Sequence, residues 1–254
     1  MNYYTRAFQL LSGSAFTFSY VYCEPADDDQ KQFYQLNTII QLNHNAEPKT
    51  LTNSILLLPN ILTMEECQYL SQEADRVILN GYSRDTYSDY AEMLRRREKP
   101  LRRISLEDMN PRANKLSSQI LLERVLPKLE NKFPELLKSL KIDGYRQGKF
   151  EWASDEPTVN RYTQGGQFEP HEDAYSLSVI ILLTDDFEGG GTSFWPTTKE
   201  ETAMGKDMWK TYEKGILVKP EIGTALLFNG DITHSGNRVT SGVRHLYVGS
   251  FNVE

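Results

Sequence analysis

Val159-Asn160-Arg161-Tyr162-Thr163-Gln164-Gly165-Gly166-Gln167-Phe168-Glu169-Pro170-His171-Glu172-Asp173-Ala174-Tyr175-Ser176-Leu177-Ser178-Val179-Ile180-Ile181-Leu182-Leu183 is the stretch whose reading decides the fold. It begins with a β-rich run, Val159–Thr163, breaks at Gly165-Gly166, and ends in a longer apolar run, Leu177–Leu183. Short apolar runs bounded by glycine pairs read as strands joined by turns rather than as helix. The same texture continues through Gly191–Trp195, Ile216–Lys219, Thr224–Phe228 and Arg244–Phe251. Turn signals lie between these runs at Gly189-Gly190, Asn229-Gly230 and Ser241-Gly242. Evenly spaced short strands of this kind predict a sandwich or jelly roll.

The front of the chain has a different texture. Residues 24–50 are polar, carry the run Asp27-Asp28-Asp29, and are expected to be loop. Ile55–Pro59 predicts a short strand. Thr63 followed three residues later by Glu66 makes a capping box that opens a helix to about Leu79. Asn110-Pro111 is a second helix start, and Pro127 and Pro134 divide the stretch from there to about Leu140 into two or three pieces. Together these predict an α+β chain whose helices cover one outer face of a jelly-roll barrel. It is expected to be one domain over 1–254, with 1–150 supplying N-terminal strands and supporting helices and 151–254 the core barrel and site.

Composition narrows the function classes. With 254 residues the chain can bury a sizeable core. A net charge of −7 and a pI near 5.3 argue against general nucleic-acid binding, which favours a basic face. No apolar run reaches transmembrane length. Leu10–Cys23 is expected to be a strand or aromatic surface segment, with a signal peptide as the alternative, so a cytoplasmic or other soluble compartment is expected and a secretory route stays open. Cys23 and Cys67 are expected to be free thiols. The run Arg95-Arg96-Arg97-Glu98-Lys99 with Arg102-Arg103 reads as a solvated face, or else as an anion-attracting lid.

Chemistry concentrates in a few residues. In an extended segment i and i+2 share a face, so His171 and Asp173 can reach one metal ion while Glu172 points away. His234 follows 63 positions after His171 (234 − 171). Two imidazoles and one carboxylate are the facial set of non-haem Fe(II) oxygenases, which leaves coordination positions open. Hydrolytic zinc sites use similar ligands, but they favour an H-E-x-x-H helix that this chain lacks. Arg244 lies ten residues beyond His234, on the strand face shared by 244, 246, 248 and 250. With Leu246 and Val248 apolar, that face is expected to be the barrel interior. A guanidinium there needs an anion, either an internal carboxylate or a ligand. By the same parity His245 faces the other way with Tyr247, as a packing residue.

Val159–Asp173 resembles the entry to the metal site of prolyl 4-hydroxylase-like Fe(II)/2-oxoglutarate-dependent dioxygenases. His234–Arg244 is similar to the second half of that site, with Arg in place of the Lys of many prolyl hydroxylases. Glu188-Gly189-Gly190-Gly191-Thr192-Ser193-Phe194 resembles the family's glycine-rich turn. The resemblance spans about 159–251 and implies a double-stranded β-helix. It also implies that His171, Asp173 and His234 bind Fe(II), that Arg244 and Tyr162 hold the C5 carboxylate of 2-oxoglutarate, and that Thr192 adds a hydroxyl there. O2 is the other co-substrate. The expected activity is oxidation of an unactivated C–H, by hydroxylation or oxidative cyclisation, in a small molecule such as an amino-acid derivative, with release of succinate and CO2. Prolyl 4-hydroxylation of a peptide is the alternative, and a non-catalytic cupin-like binding module is the alternative of another class. Neither nucleic acid nor membrane is expected as a partner.

Overall fold

The computed structural model describes residues 39–42, 49–81, 100–196 and 215–254, together with the backbone of 20–24 and 32–35. The strands are β1 Tyr20–Glu24, β2 Gln32–Gln35, β3 Ile39–Gln41, β4 Ser54–Leu58, β5 Leu101–Ser105, β6 Phe150–Trp152, β7 Thr158–Tyr162 and β8 Phe168–His171. They continue with β9 Leu177–Leu182, β10 Phe187–Gly189, β11 Thr192–Phe194, β12 Ile216–Lys219, β13 Ala225–Phe228, β14 His234–Gly236, β15 Val239–Gly242 and β16 Arg244–Val253. Residues 24–50 are therefore not all loop, because β2 and β3 lie within them. Strands of four and three residues, such as Gln32–Gln35 and Ile39–Gln41, are too short to show an alternation that would announce them.

Two antiparallel sheets face each other. The larger runs β3-β4-β13-β9-β16-β7-β5, with β6 also paired to β16; the smaller runs β2-β1-β12-β11-β14-β8. Strand parity sorts their side chains into two cores. Tyr162, Ile180, Leu182, Phe194, Val218, Phe228 and Leu246 fill the space between the sheets. Val159, Val179, Ile181, Leu227, Tyr247 and Phe251 point the other way and pack beneath the helices. This is a double-stranded β-helix core with helices on one outer face.

Those helices are α1 Met64–Leu79, α2 Leu106–Met109, α3 Pro111–Gln119, α4 Leu126–Lys132 and α5 Pro134–Ser139. Thr63 and Glu66 form the expected capping box. Asn110 caps α3 through Ala113 N–H and also bridges to α1, accepting from Tyr69 Oη at 2.8 Å and donating to Glu73 Oε1 at 2.7 Å. The expected break at Pro127 takes an unforeseen form. Ile120–Val125 is a π-helical turn that leads into α4 without a gap, and Leu126 N–H reaches back to Leu121 O. A wide turn offers room where a proline ring would otherwise crowd the carbonyl four residues back. No helix among the described residues is long and apolar enough to cross a membrane.

Two expectations meet the limits of the described residues. Arg95–Lys99 and the side chain of Cys23 lie outside them, whereas Cys67 is free and buried, with burial pushing its thiol up to about 12. Arg103 differs from either expectation for the basic cluster. It is on the same sheet face as Leu101, and its guanidinium pairs at 2.8 Å with Glu156, whose side chain is 7 % exposed.

Candidate active site

His171 ends β8 and His234 begins β14, and the two are partners across that ladder. Asp173 lies past the end of β8, so the ladder does not hold it; its N–H donates to Gly230 O at 2.9 Å. The Asn229-Gly230 turn, legible as such in the sequence, thus places the third ligand candidate. His171 Nε2 lies 3.4 Å from Asp173 Oδ1, and His234 Nε2 lies 3.6 Å from Asp173 Oδ2. One ligand atom from each of the three falls within 4.8 Å of the others, close enough to share an ion.

Both rings are oriented by the same device. His171 Nδ1 lies 2.7 Å from Glu169 O, and His234 Nδ1 lies 3.0 Å from Ile232 O. A backbone carbonyl can only accept, so each Nδ1 carries the proton and each Nε2 lone pair faces the third residue. Phe228 meets the His234 ring edge-on at 4.7 Å and Phe194 stacks on it at 6.0 Å. Burial in this sleeve pulls His234 down to about 4, against the opposing charge of Asp173, so the ring stays in the neutral, metal-binding form. Burial alone would push the Asp173 carboxyl up; the charge of the His234 and His171 rings in acid, where the carboxyl would titrate, and the Ser178 hydroxyl outweigh it and hold the carboxyl well below the usual range.

The second half of the site lies deeper between the sheets. Arg244 is fully buried and sits opposite Tyr162 in the β16–β7 ladder, its guanidinium carbon 5.5 Å from the Tyr162 ring centre and 5.9 Å from that of Phe187. Nη2 donates to Thr192 Oγ1 at 3.3 Å. Nε and Nη1 are buried with no partner among the described residues. Burial pulls this guanidinium down to about 10. The run Gly189-Gly190-Gly191 makes the packing possible: all three take positive φ, and a Cβ on Gly190 would lie 3.1 Å from Arg244 Cδ. Each end of the cleft thus presents a set of polar atoms suited to a ligand. The donor set suits a divalent ion with open positions, and the orphaned guanidinium donors suit a planar carboxylate.

All six residues singled out in the sequence, His171, Asp173, His234, Arg244, Tyr162 and Thr192, meet in this barrel. His245 faces the helices, as parity requires, yet it does more than fill space: its Nε2 lies 3.0 Å from Asp75 Oδ1 on α1, which Arg161 Nε also reaches at 2.6 Å. Ser178, Ser250 and Glu156, near the site, carried no motif, and Arg103 was legible only as part of a basic cluster. Ser178 and Ser250 contact Asp173, Ser250 N–H donates to Glu156 Oε2 at 2.6 Å, and Arg103 holds Glu156. A lone serine inside the apolar run Leu177–Leu183, on its inward face, was the available signal for Ser178.

Residues 157–251 match the family model described as the 2OG-Fe(II) oxygenase superfamily. No curated protein matches the chain. Among solved structures, the chain is similar to a viral collagen prolyl hydroxylase from Paramecium Bursaria Chlorella virus-1 in complex with 2OG, at 17 % identity over 78 % of this chain and 94 % of that one (TM-score 0.43). It is also similar to a Pseudomonas putida prolyl-4-hydroxylase, at 13 % identity over 79 % and 92 % (TM-score 0.48). HygX from Streptomyces hygroscopicus, with nickel, 2-oxoglutarate and hygromycin B bound, is similar at 14 % identity over 78 % and 82 % (TM-score 0.47).

Proposed function

We propose, from the premise that residues 157–251 make this chain a 2OG-Fe(II)-dependent dioxygenase, that it oxidises an unactivated C–H of a small amino-acid-derived molecule, by hydroxylation or ring closure. The single observation that carries the co-substrate assignment is Arg244, a fully buried cation with two unpartnered nitrogens in the same barrel as the two histidines and Asp173. An uncompensated charge there is prohibitive unless a ligand anion completes it.

In this proposal His171, Asp173 and His234 hold Fe(II), while Arg244, Tyr162 and Thr192 hold the C5 carboxylate of 2-oxoglutarate. With Fe(II) held there, O2 would be the oxidant: one of its atoms would leave in succinate as 2-oxoglutarate loses carbon dioxide, and the other would serve the oxidation of the C–H. The chain's own part is positioning. Glu169 O and Ile232 O aim the two Nε2 atoms, and Phe194 and Phe228 keep water from His234. Arg244 offers a planar pair of donors that sets the keto acid's orientation and length. The division of the chain, with 1–150 as support and 151–254 as the site-bearing barrel of one domain, belongs to the same proposal.

The test is succinate release coupled to an oxidised product, measured across free amino-acid derivatives and proline-containing peptides. Turnover of a free derivative is expected; turnover of proline peptides alone would replace the small-molecule proposal with prolyl hydroxylation. His171→Ala, Asp173→Ala and His234→Ala should each abolish turnover and Fe(II) binding while the barrel stays folded. Full activity of iron-free, zinc-loaded protein would refute the metal assignment.

A further inference from the structure

Asp173 is the one metal-ligand candidate outside the β8–β14 ladder, so strand pairing does not limit the rotation of its carboxylate. Two buried hydroxyls stop that rotation. Ser178 on β9 and Ser250 on β16 are cross-strand partners with their oxygens 3.2 Å apart, and each is 1 % exposed. Ser178 Oγ donates to Asp173 Oδ2 at 2.5 Å and Ser250 Oγ donates to the same oxygen at 3.3 Å. A serine on the inward face of a core strand fills space poorly, and its hydroxyl must find a partner. Here both hydroxyls converge on one carboxylate oxygen.

We propose that Ser178 and Ser250 are positioning residues that occupy Oδ2 of Asp173, so that Oδ1 alone is left to the metal ion. The proposal rests on the assignment of His171, Asp173 and His234 as Fe(II) ligands. Two O–H donors fill the lone pairs of Oδ2 and oppose chelation through both oxygens. A carboxylate held to one bond uses one coordination position, which keeps the others open for co-substrate. The device is braced from behind: Ser250 N–H donates to Glu156 Oε2, and Arg103 holds Glu156 from the edge strand β5. Outer partners of this kind commonly change metal affinity by roughly 10- to 100-fold when removed.

The experiment is an anaerobic Fe(II) titration of the full chain with 2-oxoglutarate present, followed through the visible charge-transfer absorption of the ternary complex. It compares wild type, Ser178→Ala, Ser250→Ala, the double variant, and the hydroxyl-retaining Ser178→Thr and Ser250→Thr, with melting temperatures recorded alongside. Each alanine variant should bind Fe(II) roughly 10- to 100-fold more weakly with an altered absorption, and at least one threonine variant should recover most of the affinity. Alanine variants within twofold of wild type would overturn the proposal. So would threonine variants that lose iron as fully as the alanine ones, whether or not the alanine variants fold. Failure of wild type to bind Fe(II) at all would overturn the ligand assignment itself, a different result from equal binding by all variants.

Discussion

Arg244 shows how much one side chain can carry. Strand parity puts it inside, burial strips its water, and the described protein returns one neutral hydroxyl at 3.3 Å. A ligand carboxylate that completes it is worth more there than at a surface, because the charge has no solvent alternative. Arg244→Leu should therefore weaken 2-oxoglutarate binding by about 2–3 kcal/mol, roughly 30- to 150-fold, measurable by calorimetry on the metal-loaded protein. Tyr162→Phe should cost less, about 1 kcal/mol, since it removes a neutral donor. Equal affinity for wild type and Arg244→Leu would remove the co-substrate assignment.

At the scale of elements, the helices are set by their ends and the site by its turns. Thr63 makes a reciprocal cap with Glu66, and its loss in Thr63→Ala should cost about 1 kcal/mol. Asn110 caps α3 and also ties it to α1 through Tyr69 and Glu73. Asn110→Ala should therefore cost more than Thr63→Ala, roughly 2–3 kcal/mol, because partially buried partners lose their bonds as well. Urea midpoints of the two variants test the ranking, and a smaller loss for Asn110→Ala would contradict it. The Asn229-Gly230 turn and the Gly189–Gly191 run place Asp173 and Arg244 respectively: a Cβ on Gly230 would lie 2.4 Å from Tyr175 O, and Gly189–Gly191 all take positive φ, so both site halves depend on glycine.

The whole molecule couples burial to pH and to ligands. Burial raises Glu156 to about 7, against Arg103 and with the help of Asp173, from a reference of 4.5. A carboxyl raised on folding binds its proton more tightly in the native state, so its stabilising share is complete below about pH 4.5 and is lost as pH climbs to about 7. Glu156→Gln should flatten that slope in denaturation measured between those limits; an unchanged slope would show that Glu156 does not titrate there. Ligands act on the same equilibrium. Fe(II) with 2-oxoglutarate at about 100-fold over Kd should add about 2.7 kcal/mol, roughly 5–10 °C in melting temperature, and a chelator should reverse it. The absence of any shift would count against a ligand site that forms only in the folded barrel.

The sequence by itself determined the local patterns. Alternation and paired glycines disclosed most of the barrel strands, the capping box disclosed α1, and parity within β16 sorted Arg244 from His245. These are short-range properties, fixed by the geometry of a few consecutive residues. Tertiary structure decided everything that needs two distant segments to meet. It lodged Glu156 against Arg103, set Ser178 beside Ser250 across a ladder, held Asp173 by Gly230 rather than by its own strand, and joined His245 to Asp75 on α1. It also replaced the expected break at Pro127 with a π turn, and made strands of β2 and β3, four and three residues long and too short to show an alternation. Spacing along the chain records which way a side chain points; only packing decides what it finds there.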